Sequence, residues 1–153
     1  FPMSGGAIRI LDWADQLPSR LAWLSLAAVR ITVGWVFLQS GWGKLHNLEG
    51  VIAFFESLGI PFAALQAPFV AGLEFVGGVL LLAGLATRLV ALPLVGVMVV
   101  AIATALRSEL ESVSDLFGLS EFGYIVMLVS LFVFGAGSLS LDALIRWRLG
   151  DRG

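Results

Sequence analysis

The sequence predicts an all-α integral membrane protein, a four-helix bundle with short interfacial helices at the N-terminus and between spans one and two. Hydrophobic residues fill 59% of its 153 positions and charged residues only 13%, whereas an ordinary soluble domain has about 25% charged residues. The mean hydropathy is +0.98. A soluble chain of this length needs far more polar surface to cover its core, so the composition excludes an ordinary soluble domain.

Four stretches approach the length of about 20 mostly apolar residues that a transmembrane helix requires. They are residues 21–40, 67–86, 89–106 and 122–139. Backbone polar groups in a bilayer must be satisfied within the segment, so these spans are expected to be helices. We predict one domain over residues 3–150 and interpret Phe1 and Pro2 as an expression scar before a native start at Met3.

Two shorter segments alternate apolar and charged residues in the manner of helices that lie on a membrane surface. Ala7–Leu17 precedes the first span, and Leu48–Leu58 follows it. A turn sequence, Gly59-Ile60-Pro61, then leads toward the second span. We therefore predict an interfacial helix in each segment.

The positively charged residues are distributed unevenly between the two sides of the predicted bundle. The side that holds both termini and the turn between spans two and three contains six basic residues: Arg9, Arg20, Arg88, Arg146, Arg148 and Arg152. The opposite side contains two, Lys44 and Arg107. Cytoplasmic loops carry the excess of arginine and lysine, so we expect a multi-pass membrane protein with both termini in the cytoplasm.

Two charged residues interrupt the predicted spans. Arg30 lies near the middle of the first span, and Glu74 lies in the second, about 5 Å from the midplane on the outer side. A lone charge at the bilayer centre costs about 2.5–3.5 kcal/mol on insertion scales, so we expect Arg30 and Glu74 to form an ion pair. Such a pair can be a structural lock between helices or part of a functional polar pocket.

The residues that could line such a pocket are mostly in the outer halves of the first two spans. The candidates are Arg30, Gln39, Trp42, Lys44, His46, Glu74 and Glu121. The chain has no cysteine and one histidine, which excludes thiolate metal sites and a haem held by two histidines of this chain. We therefore predict no metal site, and the sequence assigns no catalytic residue.

Several short motifs resemble those of the DoxX family of small four-helix bacterial membrane proteins. In chain order they are Arg30-Ile31-Thr32-Val33-Gly34, Gly41-Trp42-Gly43-Lys44-Leu45, Ser57-Leu58-Gly59-Ile60-Pro61, Glu74-Phe75-Val76-Gly77-Gly78, Gly84-Leu85-Ala86-Thr87-Arg88 and Gly135-Ala136-Gly137-Ser138-Leu139-Ser140-Leu141-Asp142. The resemblance covers residues 20–145, and the order and spacing of the motifs together are specific.

The resemblance implies a redox-associated role and a location in the bacterial cytoplasmic (inner) membrane. The family takes its name from a membrane subunit of an archaeal thiosulfate:quinone oxidoreductase, and other members are associated with redox-stress complexes or with metal-handling peptides. Many members carry a histidine near the end of the third helix, where this chain has Ala105-Leu106-Arg107. That departure weighs against a haem or metal assigned by analogy, and the variety of roles prevents the transfer of one reaction.

Our leading hypothesis is a membrane-embedded, redox-associated subunit that binds a quinone or similar amphipathic molecule and works with a partner protein. Whether it is a subunit of a quinone-linked oxidoreductase is left open. One alternative is a carrier of protons or a small solute that uses the Arg30/Glu74 pair, and another is a non-catalytic membrane scaffold. The expected partners are membrane lipid and a redox protein, with homo-oligomer formation left open. The small net charge of −2 indicates no nucleic-acid partner.

Overall fold

The computed structural model describes the backbone of residues 5–150 and the side chains of residues 21–150. The described chain is helical and contains no strand. The α-helices are α1 (Gly5–Leu45), α2 (Leu48–Ser57), α3 (Ala63–Ala83), α4 (Thr87–Thr104), α5 (Val113–Gly118), α6 (Ser120–Phe134) and α7 (Leu141–Gly150), with a 3-10 turn at Arg107–Glu109. The all-α bundle that the sequence predicts is confirmed.

Three of these helices are long and apolar enough to cross a membrane: Leu21–Leu45 within α1, Ala63–Ala83 and Thr87–Thr104. The helix predicted after the first span is present as α2, and its position at a membrane surface stays a prediction. The one predicted over Ala7–Leu17 is not a separate helix, because α1 runs without a break for 41 residues from Gly5 to Leu45. The side chains of that segment, and the expected scar at Phe1 and Pro2, lie outside the described residues.

The fourth helix is shorter than the predicted span 122–139. Helix α6 has 15 residues and ends at Phe134, because Gly135 has φ 82° and ψ −165°, a backbone conformation that no helix contains. Its length of about 22 Å is less than the 30 Å of a hydrocarbon core. The chain then continues without helical structure to Leu141, and Ala136 in this connection is buried.

Helices α1 and α3 are antiparallel and approach each other closely at glycines. A Cβ atom at Gly41 would overlap the backbone of Phe75, and a Cβ atom at Gly78 would overlap the backbone of Leu38. Small residues at a helix interface permit this approach in membrane proteins. The contact sets the register between the two helices, with Gly34 opposite Leu81 and Leu82.

The bundle core lies where α1, α3, α4 and α6 meet. Its largest fully buried apolar side chains are Val33, Phe37, Leu81, Leu94, Leu128 and Leu131. We refer below to the Lys44 end of the bundle, where α1 ends and α3 begins, and to the Arg88 end, where α3 ends and α4 begins.

Candidate functional site: a cavity beside a buried ion pair

Glu74 forms a buried ion pair with Lys44. The Lys44 Nζ atom lies 2.5 Å from Oε1 and 2.6 Å from Oε2 of Glu74, and the Ser40 hydroxyl donates a hydrogen bond of 2.7 Å to Oε2. The Glu74 side chain is fully buried, whereas that of Lys44 is 29% exposed. Ser40 and Lys44 are one helical turn apart, so they present their polar groups on the same face of α1.

The close approach of the helices at Gly41 brings these groups together. Gly41 lies between Ser40 and Lys44 in the sequence, and its Cα faces the backbone of Phe75, the neighbour of Glu74. A larger residue at position 41 would separate the helices and lengthen the contacts to Glu74. The segment Gly41-Trp42-Gly43-Lys44 therefore supplies both the close helix contact and the cation.

The prediction that Arg30 and Glu74 form an ion pair is wrong. Within residues 21–150 the only salt bridge joins Lys44 to Glu74, and Arg30 donates from Nη1 to the carbonyl of Ala136 at 2.7 Å. Arg30 precedes Ser40 by ten residues in one helix, about 15 Å along its axis. The register at the glycines places Arg30 level with the end of α3, well away from Glu74.

Arg30 belongs instead to a structural cluster at the Arg88 end. A Cβ atom at Gly84, which has φ +68°, would come within 2.6 Å of both Arg30 Nη1 and Ser140 Cβ. Asp142, at the start of α7, accepts hydrogen bonds from the backbone amides of Ala86 at 2.9 Å and Thr87 at 3.3 Å. These contacts cap α4 and tie the turn between α3 and α4 to the last helix.

A cavity of about 550 Å³ lies between α2, α3 and α4 at the Lys44 end. Lys44 and Glu74 line it, and three further polar side chains, those of Asn47, Gln66 and Thr104, also line it. The apolar part of its wall comes from Val51, Phe54, Phe55, Leu58, Ile60, Phe69, Val70, Leu73, Pro93, Val97, Met98, Val100, Ala101 and Ala105. This volume and this mixture of apolar walls with a few polar groups are typical of small-molecule sites.

The structure separates the other predicted pocket residues from this cavity. Gln39 is exposed. The ring of Trp42 lies 4.1 Å from that of His46, and His46 Nδ1 is 2.8 Å from the Trp42 carbonyl. Glu121 is in the first turn of α6, where Ser120 donates to it at 3.2 Å. Of the seven predicted residues, therefore, only Lys44 and Glu74 line the cavity.

The lining residues that sequence reasoning missed are mainly on α2, α3 and α4, and α4 contributes the most. The α4 residues that line the cavity, such as Val97 and Ala101, belong to a span without a charged residue between Leu89 and Leu106. A uniformly apolar helix gives no indication of which face borders a cavity. The sequence of α2 did carry a signal, the two aromatic residues Phe54 and Phe55 in an amphipathic segment. Binding to a membrane surface alone could also explain that pattern.

In the acidic connection between α4 and α6, Asp115 forms hydrogen bonds to residues close to it in the sequence. Its Oδ2 atom accepts hydrogen bonds from the Ser112 hydroxyl at 3.0 Å and from the amides of Ser112 and Glu111 at 2.6 and 3.0 Å. These bonds hold the pKa of the Asp115 carboxyl below its ordinary value. The carboxylate therefore supports the capping box at the start of α5.

The fold and the buried ion pair define a small helical membrane protein with a ligand-sized cavity between its helices. Residues 25–107 match the sequence profile of the DoxX family. This chain belongs to the DoxX family, as its motifs indicated.

Two relatives are similar over most of their length. "Putative oxidoreductase CatD" of Bacillus subtilis (strain 168) is 34% identical over 123 residues, which cover 76% of this chain and 84% of the relative. "Inner membrane protein YqjF" of Escherichia coli (strain K12) is 28% identical over 122 residues, which cover 80% of this chain and 92% of the relative. No solved structure matches this chain significantly.

Proposed function

We propose that this chain is a membrane-embedded, redox-associated subunit that binds a quinone or a similar amphipathic molecule in the cavity beside Lys44 and Glu74. The observation that carries the proposal is the combination of the Lys44–Glu74 ion pair with a mostly apolar cavity of about 550 Å³. The name of the CatD relative supports the redox association. A quinone, when bound, would supply two-electron redox chemistry, and a partner protein would exchange the electrons with it.

Lys44 is the residue best placed to recognise a ligand oxygen. An ammonium group has three N–H donors, and the contacts to the two oxygens of Glu74 account for two of them. Because Lys44 is partly exposed and lines the cavity, the third donor is available to a carbonyl. Glu74, which also accepts the Ser40 hydroxyl, holds the ammonium group in position, and Asn47, three residues after Lys44, offers a second donor on the cavity wall.

The carrier alternative loses the feature on which it was based. It required Arg30 and Glu74 to form one gate, but Arg30 bonds to Ala136 and Glu74 bonds to Lys44. The two charged groups therefore belong to different ends of the bundle. A ligand-binding role needs only the Lys44 end.

Substitution of Lys44 tests the proposal. We expect Lys44→Met to weaken binding of a short-chain benzoquinone to the purified protein by about tenfold or more, because a hydrogen bond to a charged donor contributes about 1.5–3 kcal/mol. Binding is measured by titration in detergent. The double variant Lys44→Met/Glu74→Leu removes both charges and so leaves no buried carboxylate without a partner; it should show the same loss.

Arg88→Met is the matched control, because it removes a basic residue at the opposite end of the bundle. Its quinone affinity should equal that of the wild type. If Arg88→Met loses the affinity and the two Lys44 variants keep it, the ligand site is not the cavity described here.

We further propose that the protein lies in the bacterial inner membrane with the Arg88 end in the cytoplasm. The name of the YqjF relative supports the location, and the basic residues Arg88, Arg146 and Arg148 support the orientation. With this orientation the cavity opens in the outer half of the membrane.

Single-cysteine labelling measures the orientation directly, because the native chain has no cysteine. Ser114 and Ser138 are both exposed and lie at opposite ends of the bundle. In right-side-out membrane vesicles, a membrane-impermeant maleimide should label Ser114→Cys at once and Ser138→Cys only after the membrane is opened. The reverse pattern would mean that the Arg88 end faces outward.

A further inference from the structure

A second, smaller cavity of about 270 Å³ lies at the Arg88 end, between the start of α4, the connection after α6 and the helix α7. Two arginines, Arg88 and Arg146, line it together with the apolar residues Leu89 and Ile145. Leu89 is 76% exposed, so an apolar surface adjoins the two guanidinium groups. The proposed quinone site uses none of these residues.

Both arginines have donors left to bind an anion. Within residues 21–150, the Arg88 side chain makes one hydrogen bond, from Nη2 to the Val133 carbonyl at 3.1 Å, and Arg146 makes one, from Nε to the Asp142 carbonyl at 3.2 Å. Neither has a carboxylate partner within 4.0 Å in that part of the chain. A guanidinium carries five N–H donors, so most donors on each side chain remain unused.

The one acidic residue of this cavity does not compete for the arginines. The two oxygens of Asp142 accept the backbone amides of Ala86 and Thr87, which directs the carboxylate toward the turn before α4. The carboxylate is thereby used as a helix cap. The cavity keeps a positive balance, with two guanidinium groups against one carboxylate that is already hydrogen-bonded.

We propose that this cavity binds the phosphate headgroup of an anionic phospholipid. Guanidinium groups bind phosphate oxygens in bidentate fashion, and basic pockets at the ends of transmembrane helices bind lipid headgroups. The occupant is a lipid because the exposed side chains Leu89 and Leu92 continue from the arginines along α4, where an acyl chain can lie. A soluble anion would gain nothing from that surface.

The test titrates short-chain phosphatidylglycerol and phosphatidylcholine into the detergent-solubilised full chain and follows thermal unfolding, which a bound ligand shifts upward. The wild type should bind phosphatidylglycerol about tenfold more tightly than phosphatidylcholine. Arg146→Gln and Arg88→Gln should each remove this preference. Arg146→Gln is the more informative of the two, because Arg88→Gln also removes the hydrogen bond to Val133.

Arg148→Gln is the matched control, since Arg148 is an exposed arginine of the same helix that does not line the cavity. It should keep the preference for phosphatidylglycerol. Equal affinity for both lipids in the wild type, or an equal loss in Arg148→Gln, would overturn the proposal. An equal thermal shift from inorganic phosphate, with the same dependence on Arg146, would assign the cavity to a soluble anion and would also overturn it.

Discussion

Replacing Glu74 with alanine is expected to lower the free energy of unfolding by about 3–5 kcal/mol, the range observed when one member of a buried ion pair is removed. Glu74 is fully buried and is bonded to both Lys44 and Ser40. Its loss leaves the Lys44 ammonium group, which is only 29% exposed, without its anion. Thermal unfolding in a single detergent measures the change.

Glu56→Ala is the matched control, because Glu56 is an exposed residue of α2. Its removal should change the free energy of unfolding by less than about 1 kcal/mol. The double variant Lys44→Met/Glu74→Leu should recover most of the stability lost in Glu74→Ala, since it leaves no buried charge. Equal losses for Glu74→Ala and Glu56→Ala would contradict the burial of the ion pair.

A comparably large loss is expected for Gly41→Ala, although only one methyl group is added. The new Cβ atom would overlap the backbone nitrogen of Phe75, and backbone atoms cannot move aside as a side chain can. Helices α1 and α3 would have to separate, which lengthens the contacts between Lys44 and Glu74. We expect a loss of about 3 kcal/mol, at the upper end of the range for overpacked cores.

Gly43→Ala provides the control two residues away in the same helix. Its Cβ atom would meet no atom of the described residues within 4 Å, and alanine favours the helix over glycine by about 1 kcal/mol. Gly43→Ala should therefore be neutral or slightly stabilising in the same unfolding measurement. If Gly41→Ala behaves like Gly43→Ala, the helices are not in close contact at Gly41.

The fold could be predicted because the membrane spans are recognisable in the sequence by their length and hydrophobicity. The ends of the elements were harder to predict. Gly135 ends α6 at Phe134 through a positive φ angle, but the apolar run 122–139 also contains Gly123 and Gly137, so the sequence does not show which glycine ends the helix. Similarly, α1 continues through Pro18, a residue that usually marks a boundary.

The site could be predicted only in part, because a single sequence carries no information on helix register. The cost of burying charge correctly identified Arg30 and Glu74 as buried residues. It could not determine their partners, which depend on the glycine contacts between α1 and α3. Arg30 was estimated to lie near the bilayer midplane from the ends of its own span, whereas the register places it beside Gly84 at the end of α3.

The cavity shows a second limit of sequence reasoning. Its two charged residues, Lys44 and Glu74, were both among the predicted pocket residues, Glu74 as a charge within an apolar span and Lys44 as a charge just beyond the outer end of the first span. Its apolar walls come from three helices, and hydrophobic residues that face a cavity do not differ in type from those that face lipid. The structure distinguishes the two classes on α4, where Ala101 lines the cavity and Ala103 is exposed on the surface of the bundle.

That difference between Ala101 and Ala103 provides the most direct test of the proposed ligand site. Ala101→Phe adds a ring inside the cavity and leaves Lys44 and Glu74 in place, whereas Ala103→Phe adds the same ring on the outer surface of the same helix. Short-chain benzoquinone affinity is measured for both variants and the wild type. We predict a loss of about tenfold or more for Ala101→Phe, because the ring would clash with the ligand, and no change for Ala103→Phe. Equal affinity in all three proteins would contradict quinone binding in this cavity.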